Sequence, residues 1–272
     1  MRASRVRASV LPPDVLSTFT EEPIMRVLTV VLISLICSPV FAQESDVVAK
    51  IEAAMSADIR TEAEMARDRN RRPVETLTFF GLQDDMRVIE LLPGGGWYTK
   101  ILAPVLKEKG ELYVAIGTGN VERNLLQQPG FEDVEAIDIG VELVDDGPFG
   151  TSSVEAFSFG VDEVDLVLTF RNMHSFNEAG RMSVNAAVYD ALKPGGLYGV
   201  IDHNRRHMQP MTNESRRRTD VVQIIKEAQA AGFVLEDFTD LHYRPDDELR
   251  YEVGRRTVTG NTDRYTLLFR KP

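Results

Sequence analysis

Three consecutive glycines after an apolar run, in VIELLPGGGWYT at residues 88–99, constrain this chain more than any other feature. The apolar run reads as a buried strand. Gly94, Gly95 and Gly96 then give a turn whose backbone can take positive φ and approach another group closely, because no Cβ intervenes. Residues 97–109 follow as a helix, ended by Gly110. Strand, glycine turn and helix together form the first unit of a parallel sheet, and the chain downstream repeats the alternation.

Further strands are expected at 111–117, near 153–157, at 164–170 (VDLVLTF), 197–202 (LYGVID), 233–241 and 264–271. Helices are expected at 46–68, 74–80, 121–128, 178–192 and 219–231, several closed by Gly or by KPGG. This is the pattern of a doubly wound α/β sheet with an N-terminal helical cap. The cap takes residues 43–72 and the main domain 73–272.

With 43% hydrophobic residues in 272, the chain can bury the core of one large domain. Its net charge of -11 excludes general nucleic-acid binding, which needs clustered cations against phosphate. From Met25 the text reads MRVLTVVLISLICSPVFAQES. Arg26 is a positive start, 27–37 is apolar, and VFA at 40–42 places small residues at a signal-peptidase site. The expectation is an upstream segment and signal peptide over 1–42, cleaved after Ala42. The product would be periplasmic or secreted, without stable membrane insertion. An uncleaved anchor and a buried helix are the alternatives. Residues 1–24 precede the better start at Met25 and carry no fold argument. Cys37, the single cysteine, lies in this segment, so the remainder has no disulfide, thiolate nucleophile or Cys-ligated metal.

A P-loop would need Gly-Lys-Ser/Thr, a dinucleotide fingerprint a third glycine near Thr99, and an esterase loop a Gly-x-Ser-x-Gly elbow; none is present. The ordered set VIELLPGGG, DLVLTF and ALKPGGLYGVID resembles the class I methyltransferases, which use S-adenosylmethionine (SAM), over most of residues 73–272. More narrowly, RDRNRRPVETLTFFGL before PGGGWYT, with LTFRNMH and VIDH, is similar to a bacterial group of exported predicted methyltransferases. The resemblance implies a seven-stranded sheet whose last strand, 264–271, is antiparallel. It also implies SAM across the carboxyl ends of the first strands, where open α/β sheets bind ligands. Glu90 would orient the loop and the cofactor's amino group. Leu92, Gly94, Gly95, Gly96, Gly117, Phe170 and Arg171 would complete the cofactor site.

The sequence departs from that pattern twice. Leu92 stands where the first loop glycine is usual, and the second strand ends in VAIGTGN without the acid that binds ribose; Glu122 lies further along the chain. Losing one charge-assisted hydrogen bond costs roughly 1.5–3 kcal/mol, or about ten- to a hundredfold in affinity.

Arg171, Asn172, Met173 and His174 follow one strand, and Asp202 and His203 end another. A histidine beside a methyl donor can take the acceptor's proton, and Asn172 can position the acceptor, which makes His174 and Asn172 the catalytic candidates. His174 reads equally as a packing histidine. Asp202, His203 and Arg205 are the substrate candidates. The same histidines with Asp202 permit N/O metal ligation, but their spacing matches no motif and no metal is assigned. NRRHMQPMTNESRRRT, at 204–219, is a basic island that reads either as a clamp for an anionic acceptor or as a solvated loop. The sequence thus leads to an exported SAM-dependent methyltransferase with a small-molecule acceptor. The alternative is a non-catalytic periplasmic protein that binds a small molecule or metal on the same fold.

Overall fold

The computed structural model describes residues 38–272. The apolar run of the expected signal, 27–37, lies outside the described residues, and the expected cleavage site after Ala42 falls within the first helix. The helices are α1 (Ser38–Met55), α2 (Glu62–Met65), α3 (Asp68–Arg71), α4 (Pro73–Phe79), α5 (Thr99–Leu106), α6 (Gly119–Asn124), α7 (Glu178–Ala191) and α8 (Val221–Ala230). The strands are β1 (Arg87–Leu91), β2 (Glu111–Ala115), β3 (Val134–Ile137), β4 (Leu143–Val144), β5 (Ser153–Val154), β6 (Val164–Phe170), β7 (Leu192–Arg205), β8 (Thr219–Asp220), β9 (Val234–Thr239) and β10 (Arg264–Arg270).

The main sheet runs β3-β2-β1-β6-β7-β10-β9, with the short β8 added beside the end of β7. β1, β2, β3, β6 and β7 are mutually parallel, and β10 is antiparallel to both its neighbours. The expected fold class therefore holds, antiparallel last strand included. Side-chain alternation explains why both faces are covered. On β1 and β6, Val88, Leu166 and Leu168 pack towards α1, α4 and α5, while Ile89, Leu91 and Val167 pack towards α7 and α8. β1, β2, β6 and β7 consequently end on one edge.

Three elements differ from the sequence reading. The helix expected over 46–68 breaks after Met55. Arg60 turns back, donates to the Met55 carbonyl at 2.7 Å and pairs with Asp68, and Thr61 with Glu64 closes a capping box that starts α2. The strand expected near 153–157 is only the two-residue β5, paired with β4 in a separate small sheet. The third main-sheet strand is instead Val134–Ile137, a half-exposed edge strand of four residues in which Glu135 interrupts the apolar pattern. Among the described residues, no helix is long and apolar enough to cross a membrane.

Candidate functional site

The chain leaves β1 through Leu92 at φ 47° and Gly94 at φ 61°. The side-chain amide of Asn172 donates to the Leu91 and Leu92 carbonyls at 3.1 and 3.2 Å, tying this loop to the end of β6. Asn172 therefore positions the loop, and its donors are not directed at an acceptor as the sequence reading expected. A cavity of about 180 Å³ opens over the loop, lined by Glu90, Leu92, Gly94, Gly95, Phe170 and Arg171 together with Glu64, Arg67 and Arg71 from the cap.

The glycines divide their work. A Cβ on Gly94 would stand in open space, and one on Gly95 would lie 3.8 Å from the Asn120 amide nitrogen. At Gly96, φ 78°, a Cβ would come within 2.4 Å of Leu125 and 3.2 Å of Val121. Gly96 is thus needed to pack the loop against α6 and is not part of the cavity wall, a correction to its expected cofactor role.

Glu90 is fully buried and accepts one hydrogen bond, from the Thr99 hydroxyl at 2.6 Å. Burial pushes its carboxyl up to about 7, against which the Thr99 bond and the Arg71 charge act. Arg71 is buried and lies over the Trp97 ring at 4.2 Å. Its backbone carbonyl is held by the Thr76 hydroxyl and by His242 Nε2. Desolvation lowers the Arg71 guanidinium to about 8, and Arg171 is lowered by the same cause. Neither has an ion-pair partner among the described residues. Besides Glu64, which Lys100 holds, the cavity faces Glu90 and three cations without an ion-pair partner among the described residues, Arg67, Arg71 and Arg171, so it offers both signs of charge, as an α-amino acid needs. The sequence reading missed Arg71 as a wall of this cavity, although it lies within RDRNRRPVETLTFFGL, one of the stretches that carry the resemblance.

A second cavity, about 610 Å³, lies between the ends of β2 and β3 and is lined by Gly117, Thr118, Glu122, Asp138 and Val141 among others. Ile116 and Gly117 both adopt positive φ, 64° and 66°, which turns the chain sharply into α6. Glu122 comes back to the mouth of β2 and accepts a hydrogen bond from the Thr118 hydroxyl. Glu122, which the sequence reading set aside as too far along the chain, thus brings a carboxylate to the end of β2 from the first turn of the next helix. A Cβ on Gly117 would stand 3.9 Å from Leu92 Cδ2, so the two cavities adjoin at this pair.

His174 sits in the turn after β6 and lines a third cavity, about 370 Å³, with Phe149, Thr151, Met211, Arg216 and Arg217. Its Nδ1 lies 2.7 Å from Asp202 Oδ1, and its backbone N–H donates to Asp202 Oδ2 at 2.7 Å. Asp202 is fully buried and also accepts from the His203 N–H. It orients His174 and does not line a substrate cavity as expected. His203 is buried beside Thr262, and desolvation lowers its imidazole well below the usual value, so it stays neutral; it lines none of these cavities, unlike the substrate role expected of it. Among the described residues, no group of three or more His, Cys, Asp or Glu is placed to hold a metal. Arg205 lines a fourth cavity, of about 400 Å³, between the starts of α7 and α8.

No protein-family model matches the sequence, and comparison with curated proteins gives no match. Solved structures do match. A SAM-dependent methyltransferase from Aquifex aeolicus aligns with 83% of this chain and 98% of its own, at TM-score 0.53 and 14% identity. The fold is that of a class I methyltransferase. The [4+2]-cyclase SpnF aligns comparably, over 85% of this chain and 95% of its own, at TM-score 0.52 and 14% identity. One fold thus accompanies two different reactions, so function must be argued from the site.

Proposed function

We propose that this protein is a SAM-dependent methyltransferase with a small-molecule acceptor. The observation that carries the reading is the pair of adjoining cavities at the ends of β1 and β2. The smaller offers Glu90 to an ammonium and Arg71 and Arg171 to a carboxylate. The larger offers Glu122 and Asp138 to ribose and base. The residues fit the group, because an added Cβ at Gly94 stands in the open space that the methionine part would fill. SAM bound there supplies an electrophilic methyl on a sulfonium.

The protein's part is positioning and proton transfer. Asn172 holds the loop by its two carbonyls, and Phe170 stacks on Tyr98 at 3.5 Å to close the wall beneath it. Asp202 takes the Nδ1–H of His174, which leaves Nε2 free to accept the acceptor's proton as the new bond to carbon forms. Asp202 in turn stays fixed by two backbone N–H donors, those of His174 and His203. Export through cleavage after Ala42 belongs to the same proposal and rests on the sequence of residues 25–43. The reaction is tested with SAM carrying a labelled methyl group and a fractionated small-molecule extract. Label should move to an acceptor with the wild type and not with His174→Ala. Equal transfer by both would contradict the assignment of His174, and no transfer in any fraction would favour a binding protein on this fold.

A further inference from the structure

The cavities beside His174 and Arg205 share two lining residues, Thr151 and Met211. The two cavities adjoin there, and a ligand long enough to pass both would have His174, held by Asp202, at one end of this groove. The Arg205 cavity has an apolar side built from Pro148, Phe176, Met211 and Ile224, and Arg216 and Arg217 line the His174 cavity beside it. At the other end stands Arg205, about nine-tenths buried, with no ion-pair partner among the described residues. Its Nε and Nη1 are buried and have no hydrogen-bond partner.

Among the described residues, Asp220 on the neighbouring β8 offsets that charge only through space, without an ion pair. Arg181, on the same wall, is already paired with Glu227 at 2.6 Å. Asp220 is occupied by His207 and by the N–H groups of Met208 and Val222. Glu178, in the first turn of α7, is exposed at the rim. The 14-residue helix α7 also begins at this wall, and its N-terminal dipole favours an anion. A buried guanidinium without an acceptor is costly unless a ligand completes it.

We infer that this groove takes an elongated amphipathic carboxylate, its carboxylate at Arg205, its apolar body along Met211 and its reacting end at His174. The inference rests on the methyltransferase reading for the role of His174, but binding in the groove needs neither SAM nor turnover. The groove thus names an acceptor class: an apolar acid whose nucleophile lies at the end remote from its carboxylate.

Ligand-observed NMR with ω-phenylalkanoates of increasing chain length, each beside its neutral amide, tests this on the full chain. At least one acid should bind roughly ten- to a hundredfold more tightly than its amide, the worth of a charge-assisted hydrogen-bond pair. Arg205→Leu should bring that acid down to the amide's affinity, and Arg205→Lys should keep part of the preference. Met211→Trp, which fills the joint of the two cavities, should weaken acid and amide alike. SAM titration of the same variants should be unchanged, which separates failure of this inference from failure of the cofactor site. No acid preference in the wild type, or a preference that survives Arg205→Leu, overturns it.

Discussion

Replacing Glu90 by glutamine separates what this carboxylate costs the fold from what it does for a ligand. Glu90 is buried, has one hydrogen bond, and titrates near 7 instead of its usual 4.5. The folded protein therefore holds this proton more tightly than the unfolded chain does. Stability attached to Glu90 is full below the unfolded value of 4.5, falls as pH rises, and is lost above about 7. At about 1.4 kcal/mol for each pKa unit, the total loss is roughly 3 kcal/mol. Glutamine keeps an acceptor for Thr99 and has no charge to desolvate. Urea unfolding of both proteins between about pH 5 and about pH 8 should then show the variant gaining on the wild type up to about pH 7 and level beyond it. SAM binding should move the other way. The cofactor's ammonium favours the ionised carboxylate, so wild-type affinity should rise with pH towards 7, and the variant should bind about ten- to a hundredfold more weakly with a flatter profile. A stability difference that does not change with pH would refute the reasoning.

Other substitutions probe the remaining assignments. Gly94→Val should abolish SAM binding in a protein that still folds, because its side chain enters open cavity, whereas Gly96→Val should disturb folding through Leu125 and Val121; circular dichroism with calorimetry distinguishes them. His174→Ala should lower turnover by about a hundredfold or more with SAM affinity retained, and Asp202→Asn should also slow turnover because Nδ1–H loses its carboxylate. N-terminal sequencing of exported protein should begin at Gln43; a chain that begins at Met1 or Met25 would contradict the processing expectation.

Much of the fold is legible in the sequence because buried parallel strands are continuous apolar runs. VDLVLTF and LYGVID could not be hidden by local detail. Val134–Ile137 was hidden because an edge strand with one buried position lacks that run. The cap was misread because periodicity alone bridges a break. The Thr61–Glu64 capping box was the signal that a new helix begins there. At the site, Glu90, Gly94, Gly95, Phe170 and Arg171 are brought together as expected, since all sit at adjoining strand ends. Tertiary pairing decided the rest. Of the basic island, Arg218 is consumed by buried Asp247 and Arg217 by Glu252, leaving Arg216 beside His174 and Arg205 without an ion pair in the cavity it lines with Arg181. No linear pattern distinguishes a paired arginine from an unpaired one. The same holds for Arg71, which shares its cavity with Glu90 but has no ion-pair partner among the described residues.

Calorimetric titration of the purified protein with SAM, followed by competition with S-adenosylhomocysteine, tests the central claim most directly. The account predicts one site per chain, saturable, shared by both compounds and lost in Gly94→Val. Absence of binding by both compounds at millimolar concentration, or binding that Gly94→Val leaves unchanged, would contradict it.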